Sequence, residues 1–159
     1  MTGKTHIVGG IAASLAYAQF TNYDPITMLG AGVIGALVPD ICHTGSKIGR
    51  KLPLLSKLVN KVFGHRTITH SLLFLVMFAA LLNAFIPNEA VKAGFLAGMV
   101  SHYLLDMATK QGIKLLYPFR MTVRFPVTTK TGGKVESVVF SILSLLSFYF
   151  GYEAFRFYL

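Results

Sequence analysis

The sequence predicts an all-α fold, a polytopic membrane helical bundle of about five helices, some of them short, in one domain spanning 1–159. Three observations predict it. Hydrophobic residues make up 53% of the chain and charged residues 13%, mean hydropathy is +0.60, and the apolar residues gather into five runs. A soluble domain carries about a quarter of its residues charged, so the composition favours a bilayer as solvent over water. A soluble helical bundle is the alternative. It fails on stretches such as 71–86, where Asn83 is the one strongly polar residue and no solvent-facing stripe exists.

The five runs are 6–20, 26–41, 68–86, 91–107 and 135–159, each bounded by Pro, Gly, Asn or charged residues. Lys4 ahead of the first run, with Ala16-Tyr17-Ala18 behind it, also fits a cleaved signal peptide. The run carries a histidine that belongs with others described below, and it is read as a retained helix. The second run is rich in Gly and Ala, with Gly30, Gly32 and Gly35 suited to close helix contact. A helix rises about 1.5 Å per residue and the hydrocarbon core is about 30 Å thick, so the third and fifth runs can span unaided. The others are short enough to need a thinned bilayer or partial insertion.

Charge sets the expected topology. If the five helices alternate, thirteen of the fifteen Lys and Arg lie on one side, and Lys92 and Arg156 alone on the other. That asymmetry predicts a multi-pass cell-membrane protein of bacterial inner-membrane type with its N-terminus and both long loops, 42–67 and 108–134, in the cytosol. Short apolar runs within those loops, 52–55 and 113–119, are expected to lie against the membrane surface. The net charge of +9 is thereby accounted for without nucleic acid, and the loops lack the interleaved aromatics that stack bases. Cys42 is the one cysteine, which excludes an intrachain disulfide and a Cys-rich zinc knuckle.

On this topology the ionisable residues fall into a pattern. His6 opens the first helix, Asp40 ends the second and His43 follows it. His65 and His70 open the third, His102 and Asp106 end the fourth, and Glu136 starts the fifth. All five histidines and three of the six acids thus share one end of the bundle, whereas Asp24, Glu89 and Glu153 belong to the other. His102 and Asp106 are four apart, one turn apart on one helical face, a spacing that lets an imidazole and a carboxylate grip one ion. An acid at a helix C-terminus also opposes the helix dipole, which a bound cation would offset. Thr67 or Thr69 is expected to cap the third helix, so that His65 and His70 can point into one pocket. Asp40 in its turn is either a local backbone acceptor or a ligand. Imidazoles with carboxylates suit zinc, with manganese possible, in one or two ions; two ions could share an activated water. Arg66, Arg120 and Arg124 can bind phosphate, or simply face anionic lipid.

The ordered set Pro39-Asp40, His65-Arg66, Thr69-His70-Ser71, Ser101-His102, Leu105-Asp106, Gly112, Leu115-Leu116-Tyr117-Pro118 and Glu136 resembles the inner-membrane-associated metal-dependent hydrolases of the YdjM-like family. That family is distantly similar to zinc-dependent phospholipase C. The resemblance implies His6, Asp40, His65, His70, His102, Asp106 and Glu136 as metal ligands and a phosphoester substrate such as a membrane lipid. One departure stands out. The family often reads Pro-Asp-x-Asp after helix two, and this chain has Pro39-Asp40-Ile41-Cys42, so the second carboxylate is missing. Cys42 is expected to pack, and His43 is left open as a ligand. The expected function is a metal-dependent hydrolase, a phospholipase C-like phosphoesterase, with Asp40, His65 and Asp106 in the chemistry and Arg66 and Arg120 on the substrate. The alternatives are a non-catalytic structural or sensor metal site and a transporter; ionisable groups at one face and the lack of a repeat weigh against the last. Oligomeric state is not fixed by the sequence.

Overall fold

A computed structural model of the chain describes residues 1–63 and 67–156, with the backbone alone at Val62 and Phe63. His65 and Arg66 lie outside the described residues. Seven α-helices appear among them: α1 (Gly3–Ala18), α2 (Pro25–Gly35), α3 (Lys47–Lys51), α4 (Pro53–Phe63), α5 (Leu72–Phe85), α6 (Glu89–Met107) and α7 (Lys134–Phe155). Two 3₁₀ turns, Val38–Cys42 and Ile68–His70, follow α2 and precede α5.

Local chemistry sets these boundaries. Asp24 accepts a hydrogen bond from the Thr27 amide (2.7 Å) and Pro25 takes the first helical position of α2, where its missing N–H costs nothing. Asn88 caps α6 through the Val91 amide (3.2 Å). The cap of α5 is Ser71, whose Oγ accepts from the Phe74 amide (3.2 Å), and not Thr67 or Thr69. Thr69 instead turns its hydroxyl to the neighbouring His70 ring (3.0 Å), so the third apolar run spends its first residues in a 3₁₀ turn. As a result α5 has 14 residues, too few to span unaided, contrary to the expectation for the third run. Among the described residues the stretches long and apolar enough to cross a bilayer are Pro25–Cys42, which joins α2 to its turn, and Lys134–Phe155.

The centre of the fold is α1, α2 and α6, with α7 packed on α1 and α5 on α6. Lipid tails are as apolar as leucine, so helix association in a bilayer depends on close van der Waals fit. Glycine provides it where α2 crosses α6: a Cβ on Gly98 would sit 2.1 Å from the Gly32 carbonyl oxygen. A Cβ on Gly35 would sit 2.0 Å from that of Phe95. Around this crossing, Leu15, Met28 and Met99 are fully buried. The outer helices show the opposite. No residue of α5 is fully buried, and α7 buries only Glu136 while exposing Val138, Ile142, Leu145, Phe148 and Tyr152. Exposed apolar faces of that extent suit hydrocarbon, not water.

After α6 the chain crosses the basic end of the bundle as an irregular loop pinned by two isolated bridges, Thr109 to Thr129 and Ile113 to Val123. Gly112 has φ +62°, and a Cβ there would also strike the Val123 carbonyl, so the turn into this loop requires glycine. The Leu72 amide donates to the Leu115 carbonyl (2.8 Å), fastening the loop to the start of α5. The other basic loop is more ordered than expected, since it folds into α3, capped by Ser46, and α4.

Candidate metal centre

Four side chains from three elements converge at the basic end of the bundle. Asp40 comes from the 3₁₀ turn after α2, His70 from the turn before α5, and His102 and Asp106 from successive turns of α6. One ligand atom from each lies within 4.8 Å of all the others. His70 Nε2 and His102 Nε2 are 3.1 Å apart, and Asp106 Oδ2 is 3.5 Å from the first and 3.7 Å from the second. Asp40 Oδ1 stands 3.9 and 3.8 Å from the same nitrogens. Zinc–nitrogen and zinc–oxygen bonds of about 2.0–2.2 Å in a tetrahedron place ligand atoms about 3.3–3.6 Å apart. The group therefore has the span of an ion's coordination shell and can bind a metal ion.

The surrounding bonds aim these atoms. His102 Nδ1 is 2.7 Å from the Ala36 carbonyl oxygen, which can only accept. Nδ1 therefore carries the proton in the neutral ring, and Nε2 presents its lone pair to the group, the tautomer-fixing bond expected behind a metal-ligating histidine. Burial pushes the His70 imidazole down to about 4 despite the neighbouring Asp106 carboxylate, keeping it neutral as a ligand must be. The Tyr103 hydroxyl, one residue from His102, reaches the carbonyls of Thr69 (2.9 Å) and Ser71 (3.2 Å) and so holds the turn that carries His70. Helix α6 thus positions three of the four members, two directly and one through Tyr103.

His6 adds a third imidazole beside the group. Its ring stacks on His102 with centroids 3.7 Å apart, and its Nε2 is 3.2 Å from Asp106 Oδ1. The ring is fully buried, with Nε2 against the Asp106 carboxylate and Nδ1 left without a hydrogen-bond partner among the described residues. A buried polar group left so costs about 1–3 kcal/mol. Ligation would remove that cost, so His6 fits an ion at or next to the group. The Met1 ammonium pairs with Asp106 Oδ1, so cationic charge already meets the carboxylate at the C-terminus of α6. Of the four converging residues, His70, His102 and Asp106 are wholly buried and Asp40 is 13% exposed. The group thus opens to its surroundings on the Asp40 side.

The remaining sequence candidates lie elsewhere. Glu136 stands apart from the group, at the α1–α7 contact: its carboxylate accepts from the Thr2 amide (2.6 Å), the Thr5 hydroxyl (2.7 Å) and the Gly132 amide (2.6 Å). Those bonds tie the start of α1 to the start of α7. Arg120 is exposed on the loop after α6 with no bond to the group among the described residues, and the exposed Arg124 bonds the Lys110 carbonyl (3.3 Å). Cys42 is buried with its thiol against the Pro39 carbonyl (3.5 Å), which agrees with packing, and His43 is exposed and outside the group. Sequence reasoning missed the Ala36 carbonyl, Tyr103 and the Met1 ammonium. The first is backbone and leaves no sequence signal, whereas a tyrosine adjoining a candidate ligand was a weak one.

Comparison with known proteins identifies a family. The profile of the family described as "YdjM inner membrane protein" matches residues 1–157. "Uncharacterized protein YvsG" of Bacillus subtilis (strain 168) is 52% identical over 156 residues, covering 98% of both chains. "Inner membrane protein YdjM" of Escherichia coli (strain K12) is 33% identical over 155 residues, covering 87% of this chain and 77% of the relative. "Inner membrane protein YbcI" of the same organism is 34% identical over 104 residues, 60% of this chain and 56% of the relative. No solved structure matches. A profile that covers almost the whole chain, together with apolar outer helices around a buried histidine and aspartate group, leads to one conclusion: the chain belongs to the YdjM inner membrane protein family.

Proposed function

We propose that the protein is a membrane-bound, zinc-dependent hydrolase acting on a phosphoester at the membrane, with a membrane lipid as the substrate class. The observation that carries this reading is the convergence of Asp40, His70, His102 and Asp106 with His102 Nε2 left unprotonated by the Ala36 bond. Two neutral imidazoles with two carboxylates are a donor set for zinc, with manganese the next candidate. When bound, the ion would supply Lewis acidity to a phosphoryl oxygen and lower the pKa of a water toward about 7. Asp40, at the exposed edge, would orient a water there and accept its proton. Asp106, His70 and His102 would hold the ion, and their burial would exclude solvent from behind it. His6 beside Asp106 offers a donor for a second ion. The N-terminus and basic loops face the cytosol in this reading, in keeping with thirteen of fifteen Lys and Arg at that end.

A second reading rests on the ligand count. Four protein ligands close a tetrahedral shell, as structural zinc sites do, and such an ion would pin α2, α6 and the start of α5 together without catalysis. The experiment is metal content per chain in detergent-purified protein, followed by release of phosphorylated headgroup from phospholipid vesicles, for wild type, His102→Ala and Asp106→Ala. Zinc retained by wild type and lost with turnover in both variants supports the hydrolase. Zinc lost without any turnover to lose favours the structural site. No metal in wild type even after adding back divalent ions defeats both.

A further inference from the structure

Helix α4 is amphipathic in the wrong sense for water. Its inward face is polar: Ser56 is wholly buried, and the Asn60 amide donates to the Cys42 carbonyl (2.7 Å) in the turn that carries Asp40. Its outward face is apolar, with Leu54 82%, Leu58 59% and Leu55 44% exposed. Leu54 and Leu58, four apart, form one ridge along the helix. Lys57 and Lys61, also four apart and exposed, run beside that ridge. The loop after α6, at the same basic end, repeats the pattern: Phe119, Met121 and Val127 are exposed, and Arg120 and Arg124 are interleaved with them. Among the described residues Pro25–Cys42 and α7 are long and apolar enough to cross a bilayer, so a surface of this kind at the basic end has an adjacent occupant.

We propose that α4 is an interfacial helix that seats its Leu54–Leu58 ridge in the anionic-phospholipid face of the membrane, with Lys57 and Lys61 against lipid phosphates. Charge decides the occupant. A second copy docked ridge to ridge would bring four lysines together, whereas an anionic leaflet neutralises them and accepts the leucines below headgroup level. Asn60 then links seating to the metal group. The bond from Asn60 to Cys42 lies two residues from Asp40, so the open edge of the group is held at headgroup depth. This inference stands on the membrane placement alone and holds whether the ion is catalytic or structural.

The chain contains no tryptophan, so Leu54→Trp and Leu58→Trp each give a single fluorescent reporter at an exposed position that tolerates the larger ring. The full chain is reconstituted in phosphatidylcholine vesicles with or without phosphatidylglycerol, using acyl chains brominated or not. Both reporters are expected to emit to the blue of a water-exposed indole, to be quenched by brominated chains, and to be shielded from aqueous iodide more fully when phosphatidylglycerol is present. Adding Lys57→Gln and Lys61→Gln to the Leu58→Trp chain should weaken the phosphatidylglycerol dependence, about fivefold for each lysine. Water-like emission with full iodide access and no bromine quenching in both reporters overturns the proposal. Blue emission unquenched by bromine that fades on diluting protein in lipid assigns the ridge to a second copy and overturns it equally. Because neither readout involves metal or turnover, failure here leaves the hydrolase reading to its own test.

Discussion

Gly98→Ala is the sharpest probe of how the helix crossing sets the metal group. The added Cβ would lie 2.1 Å from the Gly32 carbonyl oxygen and 2.8 Å from the Ala36 nitrogen. Ordinary contact begins at 3.4 Å, so α2 must retreat from α6 by about 1.3 Å, because backbone on both sides leaves no side chain to rotate away. Ala36 is where that retreat is felt at the site. Its carbonyl lies 2.7 Å from His102 Nδ1, and a shift of that size stretches the bond to about 4 Å, beyond hydrogen-bond reach. Asp40 follows four residues on and moves with it. Overpacking of this kind costs about 1–3 kcal/mol, and loss of a bond orienting a ligating histidine costs about 10- to 100-fold in metal affinity. The assay is competitive zinc titration with a fluorescent chelator, paired with thermal unfolding in detergent with and without zinc. Gly30→Ala is the matched control, since nothing lies within 4 Å of its added Cβ, and alanine in an exposed helix position should stabilise by about 0.5–1 kcal/mol. If Gly98→Ala retains zinc within twofold of wild type and melts with it, the α2–α6 crossing does not position the group as described.

Glu136→Gln should leave the number of metal ions per chain unchanged while lowering the melting temperature, since it removes one oxygen from a carboxylate taking three hydrogen bonds, at about 1–3 kcal/mol for a buried partner left unmatched; loss of metal in this variant would make Glu136 a ligand. Tyr103→Phe should weaken zinc binding by loosening the His70 turn with little change in helix content by circular dichroism, and unaltered affinity would show that the turn holds without it. The Thr27 hydroxyl and amide beside Asp24 hold its carboxyl below the usual carboxylate range, so the folded state favours the ionised cap. Its contribution is then full above the ordinary aspartate value of about 4 and fades as pH falls below it. The stability gap between wild type and Asp24→Ala should accordingly narrow in acid, and a gap constant down to pH 2 would refute the assignment.

The five apolar runs were legible because hydropathy and helix-breaking residues survive without knowledge of packing, and each became a helix. The start of α5 was not legible. Thr67, Thr69 and Ser71 are all competent caps, and what decides among them is that Thr69 bonds the His70 ring, a tertiary circumstance of the metal group. Helix α4 hid in a basic segment behind Pro53, since a polar inner face and an apolar outer face defeat the usual reading of amphipathic sequence. His70, His102, Asp106 and Asp40 could be found because topology brings chain ends to one side of a membrane. Topology resolves that side and no finer, which is why Glu136 shared the expectation and yet sits at the α1–α7 contact among Thr2, Thr5 and Gly132.

The single Tyr103 proton shared between two carbonyls means that α6 governs His70 as well as its own His102 and Asp106. Three of the four members of the group would therefore move together if α6 tilted or slid. Asp40 rides on another element, the turn after α2. Sliding α2 along α6 would then shift Asp40 alone, widening or narrowing the open edge of the group while the other three keep their mutual geometry. Membrane thickness and lateral pressure slide helices in a bilayer, so the surrounding lipid would have a mechanical route to this site.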